Sequence, residues 1–407
     1  MQFRNFRLFI SSQIVSMTGI WVQRMTTGWL VYGLTKSPFL LSAIDFASQI
    51  PILILGLFAG ALVDRLDKQR LIQRTQCLLM ILALSLAYLT LSNKVSFVAV
   101  FLISICLGCI NAFDMPARQA CISQMVERPD YLTNAIALNS AVFNLSRVIG
   151  PTMAGFIVAL VGEGYCFLVT GIAFCAPIYA FFVMKLPPAE PVTERQGMFS
   201  SIKEGIGYVA KNRHLRTLLV LVSCISFLAM PIYVNFPVLV VERLAGNAQH
   251  LGFLLGGIGV GALGGTMKIA SASSIRGMPR RLFYSLMLLA LSLTAMSFVR
   301  MKTLAVLLSP AVGWGFVHSV TSCNTMLQTF IPDSMRGRVM SLYSMCVSGI
   351  APIGSILAGS IMHHFGVMWA ILFQGCALTV TALVFTRFIR LLDNSIHSLY
   401  EDLVGRV

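Results

Sequence analysis

The feature that most constrains this chain is a succession of apolar runs, each about twenty residues or longer, parted by short loops that hold most of the charge. Coiled as a helix rising ~1.5 Å per residue, a run of that length crosses the ~30 Å hydrocarbon layer of a bilayer. Inside lipid the backbone must satisfy its own hydrogen bonds, so such runs are helices. The pattern predicts twelve spans: 6–33, 38–63, 69–91, 95–117, 131–161, 165–186, 214–241, 250–274, 281–300, 303–329, 337–362 and 366–391. Charged residues make up only 11% of the chain. A water-soluble domain carries about a quarter.

The net charge of +15 would suit a nucleic-acid binder, yet the basic residues gather between apolar runs and form no continuous face. Nucleic acid is therefore not an expected partner. Arg4 and Arg7 ahead of an apolar stretch imitate a signal peptide, but Ser11, Ser12, Gln13 and Ser16 interrupt it and eleven more runs follow. This segment reads as the first span. Nine of the ten cysteines lie inside the runs, and the single Cys106-x-x-Cys109 has no second pair to complete a metal site. No metal, cofactor or enzymatic activity is expected.

Placing both termini inside puts 23 of the 30 Lys and Arg on the cytoplasmic side, with five outside and Arg24 and Arg147 within spans. That asymmetry is the positive-inside signature of a multi-pass membrane protein with both termini cytoplasmic. The longest loop, 187–213, opens with Pro187-Pro188 and then spaces Phe199, Ile202, Ile206 and Val209 at helical intervals. It predicts a short amphipathic helix on the inner membrane face, with Lys203 and Lys211 toward headgroups. The expected organisation is a six-helix bundle at 1–186, this linker at 187–213, a second bundle at 214–391 and a cytoplasmic tail at 392–407.

The two halves repeat. An offset of 204 carries Gly60 to Gly264, Gly150 to Gly354, Gly155 to Gly359 and Gly162 to Gly366, while Arg4 and Arg7 match Arg213 and Arg216 at 209. Parallel six-helix repeats are one way secondary transporters are built, with substrate held near midplane between them.

Three sets of residues carry a family resemblance. Residues 60–71, from Gly60 through Asp64-Arg65 to the basic cluster ending at Arg70-Leu71, resemble the loop motif of the major facilitator superfamily, with Asp67 where many members have glycine. Residues 147–155, with Gly150-Pro151 and Gly155, look like the helix-5 motif of its exporter branches. Gly19–Arg24, Trp29–Pro38 and Pro332–Val339, which holds Arg336, are similar to the bacterial subgroup of enterobactin exporters and macrolide efflux proteins. The resemblance covers essentially the whole chain. It implies that Asp64 reaches the N-terminus of the eleventh span when the inner gate is shut, where a carboxylate gains from the helix dipole. It also implies that Arg70 or Arg65 pairs with Asp114 at the inner end of the fourth span. The other reading is that this cluster only anchors its loop.

On the fifth span Ser146, Gly150 and Ala154 make a small-residue face, answered by Gly257, Gly261 and Gly265 on the eighth. Such faces predict close packing of the two helices. Charge inside a membrane costs ~2.5–3.5 kcal/mol per residue, so it usually faces a cavity or a partner. Arg24 and Asp45 fall at similar depths and form an expected pair, with Asp45 and His318 the candidates for carrying a proton. Arg147 suits an anionic ligand, or else braces backbone carbonyls. Because spans 1, 4, 7 and 10 line the cavity in the resembling family, the expected lining is Gln13, Trp21, Arg24, Asn111, Asn235, Trp314, His318 and Thr325, with Arg147. Each of these is equally a candidate for an ordinary interhelical hydrogen bond. The sequence thus predicts an all-α membrane protein that acts as a monomeric, proton-coupled exporter of a small siderophore-like or drug-like molecule. A lipid flippase and a non-transporting scaffold are the alternatives.

Overall fold

The computed structural model describes residues 3–63, 66–126, 131–184, 198–271 and 274–404. Among them all regular structure is helical, and eleven segments are long and apolar enough to cross a membrane. The twelfth span is α1 (Arg4–Thr35), whose Ser, Gln, Thr and Arg residues lower its hydropathy without interrupting the helix. Ser12, Gln13, Ser16, Gln23 and Thr26 are buried. Polar residues of a membrane helix are tolerated on such an inward side.

The spans follow in order as α2 (Pro38–Val63), α3 (Lys68–Leu91), α4 (Phe97–Met125) and α5 (Leu132–Val161). The sixth is α6 (Glu163–Ala173) joined at Phe174 to α7 (Cys175–Val183). The linker helix is α8 (Met198–Lys211). The seventh span is α9 (Arg213–Ala229) and α10 (Ile232–Glu242), interrupted at Met230-Pro231. Next come α11 (Ala248–Ala270), α12 (Met278–Phe298) and α13 (Lys302–Phe330). A π-helical turn, Met345–Gly349, joins α14 (Asp333–Ser344) to α15 (Ala351–Phe365) in the eleventh span. The last helix, α16 (Val367–Val404), continues through most of the stretch expected as a tail.

The internal repeat is written in the backbone as well as in glycines. Gly162 and Gly366, the pair related by 204, both take positive φ, at 93° and 86°. Lys36 and Ala245, related by the 209 offset of the arginine matches, do so at 50° and 46°. A left-handed residue ends a helix by redirecting the chain, so both halves turn at equivalent places although the second pair shares no side chain. Helix pairing repeats too: α3 packs on α4 and α6, and α12 packs on α13 and α16.

The chain folds into two compact units, residues 1–193 with 236–259, and residues 194–235 with 260–407. In the first, α1 packs along α5 and α2 along α4. At the end of this unit where α1 terminates, Tyr32 Oη donates to Glu242 Oε1 at 2.6 Å. Beside α11, a Cβ on Gly155 would meet the Ala248 carbonyl oxygen at 2.8 Å, and Phe156 meets Phe253 edge to face. In the second unit α8 lies on α14, where Arg338 Nη1 donates to Glu204 Oε1 at 2.9 Å and Gly205 abuts the Arg338 backbone. Lys203 and Lys211 are exposed, Val209 is buried and Ile206 is exposed. The side chains of Phe199 and Ile202 lie outside the described residues.

The small-residue faces correct one expectation. Gly150 does not meet α11; it admits Trp21 of α1, whose Cβ would collide with any Cβ placed there. Gly261 and Gly265 face α13, at Pro310 and at Trp314 and His318. The α5–α11 contact is made by Gly252, Gly256 and Gly259, which meet Pro151, Thr152 and Val148. The four-residue spacing found helix faces that pack closely, but not which helix each one meets.

Candidate substrate and coupling site

Trp21 organises the charged residues of the first unit. Its ring has the Arg24 guanidinium 5.5 Å from its centroid and the Arg147 guanidinium at the same distance. Phe143 meets the indole edge-on at 5.8 Å. A cation over an indole face is held by the ring quadrupole, more strongly where water is excluded. Arg147 is buried, whereas 39% of the Arg24 side chain is exposed. Arg24 Nη2 lies 3.7 Å from Asp45 Oδ1, and Gln49 Nε2 donates to Asp45 Oδ2 at 2.8 Å.

A second charged cluster lies where α1, α3 and α4 meet. Asp114 has no exposed surface; its Oδ1 accepts from Thr75 Oγ1 at 2.6 Å and from Gln76 Nε2 at 2.8 Å. Its Oδ2 is 2.7 Å from Arg118 Nη2, and Arg118 Nη1 donates to Gln13 Oε1 at 3.0 Å. This corrects two expectations. Asp114 is not at the helix end but eleven residues before α4 finishes at Met125. Arg118, counted from sequence among loop charges, is a buried residue of α4. Arg70 lies 3.3 Å from Asp67, and Arg65, the other expected partner of Asp114, lies outside the described residues. Asp67 also caps α3 by accepting from the Arg70 backbone N–H, so the residue that departs from the family glycine starts the helix.

Asp64 and Arg65 lie outside the described residues, and Gly60 belongs to α2. Arg336 is exposed on α14. Pro151 stands inside α5, which runs on through it. Asn111 is half-buried on α4. In the second unit Asn235 donates to Gln374 Oε1 on α16 at 2.6 Å, and Thr325 donates to the Thr321 carbonyl of its own helix at 3.0 Å. His318 stacks on Trp314 with 5° between the rings, and its Nδ1 is 2.8 Å from Ser285 Oγ and 3.3 Å from Ser322 Oγ. The structure therefore brings together Trp21, Arg24, Asp45 and Arg147. Gln13 is committed to Arg118, and Asn235 to α16.

Sequence reasoning passed over Arg118, Gln49, Thr75 and Gln76. The first two had a readable signal, a hydrogen-bonding or charged residue four positions after a membrane acid, which places both on one helix face. The α3 partners had none, since which α3 side chains reach α4 depends on packing.

Twelve membrane-length helices in two parallel repeats, with charged clusters buried among them, define a polytopic membrane transporter. A family model described as transmembrane secretion effector matches residues 1–398, and the chain belongs to this branch of the major facilitator superfamily. It is 28% identical over 348 residues to the multidrug efflux pump Tap of Mycolicibacterium fortuitum, covering 83% of this chain and 84% of that protein. It is 24% identical to the staphyloferrin A transporter of Staphylococcus aureus, covering 93% and 95% of the two chains. Among solved structures, a D-xylose–proton symporter superposes with TM-score 0.73 at 13% identity over 93% of this chain and 97% of that one. A bacterial Spinster homologue does so with TM-score 0.70 at 13% identity, over 97% and 98%.

Proposed function

We propose that this transporter exports a small anionic or polyhydroxylated molecule of the siderophore type across the bacterial inner membrane, driven by protons and working by alternating access. The observation that carries the reading is the cluster at Trp21, where the Arg24 and Arg147 guanidinium groups both stand 5.5 Å from one indole ring, with Asp45 3.7 Å from Arg24. Guanidinium groups match carboxylate and catecholate oxygens geometrically and keep their charge at all physiological pH. An exporter of lipophilic cations is expected to present the reverse, a membrane acid in excess. In this reading both termini are cytoplasmic, the protein works as a monomer, and the Tyr32–Glu242 end faces outward. Asp45 is the proton carrier, with His318 as the alternative. Asp64, Arg65, Arg70 and Arg336 serve the inner gate.

The test uses everted membrane vesicles from an expressing strain, in which export reads as uptake. Radiolabelled 2,3-dihydroxybenzoate is expected to accumulate on energisation, to be released by an uncoupler, and to fail in Arg147→Ala. Energised uptake of ethidium that Arg147→Ala leaves unchanged, without uptake of the carboxylate, overturns the substrate class. The kinship with a multidrug pump makes a drug exporter the second reading.

A further inference from the structure

We propose that His318 and Trp314 form a hydroxyl-binding subsite for the cargo, in which one cargo hydroxyl donates to His318 Nε2 and accepts from Trp314 Nε1–H. This rests on the export reading above, assigns His318 to cargo and leaves the proton to Asp45.

The offset of 204 that relates the glycines also carries Asp114 to His318 and Arg118 to Ser322. Asp114 and His318 each stand on the fourth helix of their half and bond to the third, Asp114 to Thr75 and Gln76 of α3 and His318 to Ser285 of α12. The first position is filled. Asp114 takes Thr75 and Gln76 on one oxygen and Arg118 on the other, and none of it is exposed. The second position is half filled. His318 Nδ1 meets Ser285 Oγ at 2.8 Å and Ser322 Oγ at 3.3 Å, whereas Nε2 has no hydrogen-bond partner among the described residues.

Ser285 fixes which ring nitrogen carries the proton. Its one hydroxyl hydrogen goes to the Arg281 carbonyl oxygen at 3.0 Å, so toward His318 it presents a lone pair. Nδ1–H donates to that lone pair, and on the neutral ring Nε2 is the bare acceptor. His318 is only 5% exposed, and a polar atom so placed normally has a partner. Trp314 Nε1–H, which can only donate, also lacks a partner among the described residues. Neither nitrogen is among the sealed, unpartnered polar atoms of those residues, so both open on reachable space.

The two rings lie 5° from parallel with centroids 6.3 Å apart. Glycines of α11 leave room for them: a Cβ on Gly264 would meet the Trp314 ring at 2.9 Å, and one on Gly265 would meet His318 Cβ at 3.4 Å. Bare backbone on that side lets the rings lie close and keep their planes. An acceptor on one ring and a donor on the other suit a group that gives and takes at a single atom. A carboxylate only accepts and an ammonium only donates, whereas a hydroxyl does both. The ligand class is therefore a phenol or other polyhydroxylated molecule.

Calorimetric titration of the detergent-purified protein in mildly alkaline buffer, with 2,3-dihydroxybenzoate and with benzoate, tests this. Benzoate keeps the carboxylate and the ring but has no hydroxyl. Wild type is expected to bind the dihydroxy compound about tenfold more tightly, the worth of two hydrogen bonds. His318→Phe, a ring without the acceptor, should lower that ratio to about threefold or less, and Trp314→Phe, a ring without the donor, likewise. His318→Gln, whose amide oxygen can accept near the Nε2 position, should keep more of the ratio than His318→Phe. Arg147→Ala should weaken both compounds alike and leave the ratio standing. Equal affinities in wild type, or an undiminished ratio in either ring variant, overturn the subsite while leaving anion export standing if Arg147→Ala still weakens both. Should His318→Phe fail to fold, the ratio in Trp314→Phe decides. Binding of neither compound by wild type also overturns the subsite, and vesicle uptake then judges the export reading on its own.

Discussion

The Tyr32 hydroxyl donates a hydrogen bond to Glu242 Oε1 across 2.6 Å, joining the last turn of α1 to the last turn of α10, 210 residues away in sequence. The two helices hold equivalent places in the repeat, so the bond closes a pseudo-symmetric pair at its tips. A hydrogen bond to a charged acceptor contributes about 1.5–3 kcal/mol. Losing it should multiply the population of states in which these ends separate by roughly ten or more. Spin labels at the exposed positions Leu34 and Asn247, in a cysteine-depleted background, should report one short distance in wild type. Tyr32→Phe should add a longer component, and Glu242→Gln a smaller one. An unchanged distribution in both would mean the bond does not hold these ends together.

Gly150 is where α1 and α5 come closest around Trp21. Overpacking of this kind costs about 1–3 kcal/mol. Gly150→Ala should lower the thermal midpoint of the purified protein by several degrees, and Gly150→Leu should prevent accumulation of monodisperse protein. Gly33→Ala, with open space around its Cβ position, is the control for the loss of a glycine inside a helix.

Removing one partner of the Asp114–Arg118 pair should be worse than removing both. A lone buried charge costs about 3–5 kcal/mol, whereas a neutral pair avoids most of that penalty. Arg118→Gln and Asp114→Asn are each expected to lower stability and yield, and the double substitution to recover a measurable part. Additive losses in a thermal-shift cycle would show that the two groups act independently.

Asp64 is the direct test of the inner gate. Asp64→Asn should leave the protein folded and inserted yet abolish transport in proteoliposomes, because a neutral side chain gains far less from a helix N-terminus. Transport at the wild-type rate would reduce the Asp64–Arg70 cluster to a loop anchor.

Most of the architecture was legible because lipid imposes one rule on every span: length, apolarity and helix go together. The same rule hid α1 from a pure hydropathy criterion, since Gln13, Ser16 and Gln23 are buried among other helices and not set against lipid. The charged site was half legible. Arg24, Asp45 and Arg147 stood out as isolated charges within spans, and the structure sets both arginines against Trp21 with Asp45 beside Arg24. Arg118 was lost by placing the end of the fourth span a few residues too early, which made a buried side chain look like a loop charge. Partner choice was the least legible part: Gly150 announces a close approach in sequence, but only tertiary packing says that the visitor is Trp21.

The two ion pairs also bear on how the chain enters the membrane. Asp114 and Arg118 stand four residues apart on one helix, so each neutralises the other as soon as α4 forms. This helix can leave the insertion machinery alone, its two charges already cancelled. Arg24 and Asp45 sit on successive helices. Neither helix is charge-compensated at that depth by its own residues, so α1 must wait for α2. Biogenesis of the first hairpin is then a joint event, and a stop in synthesis between Lys36 and Asp45 should strand α1 at the threshold of the bilayer.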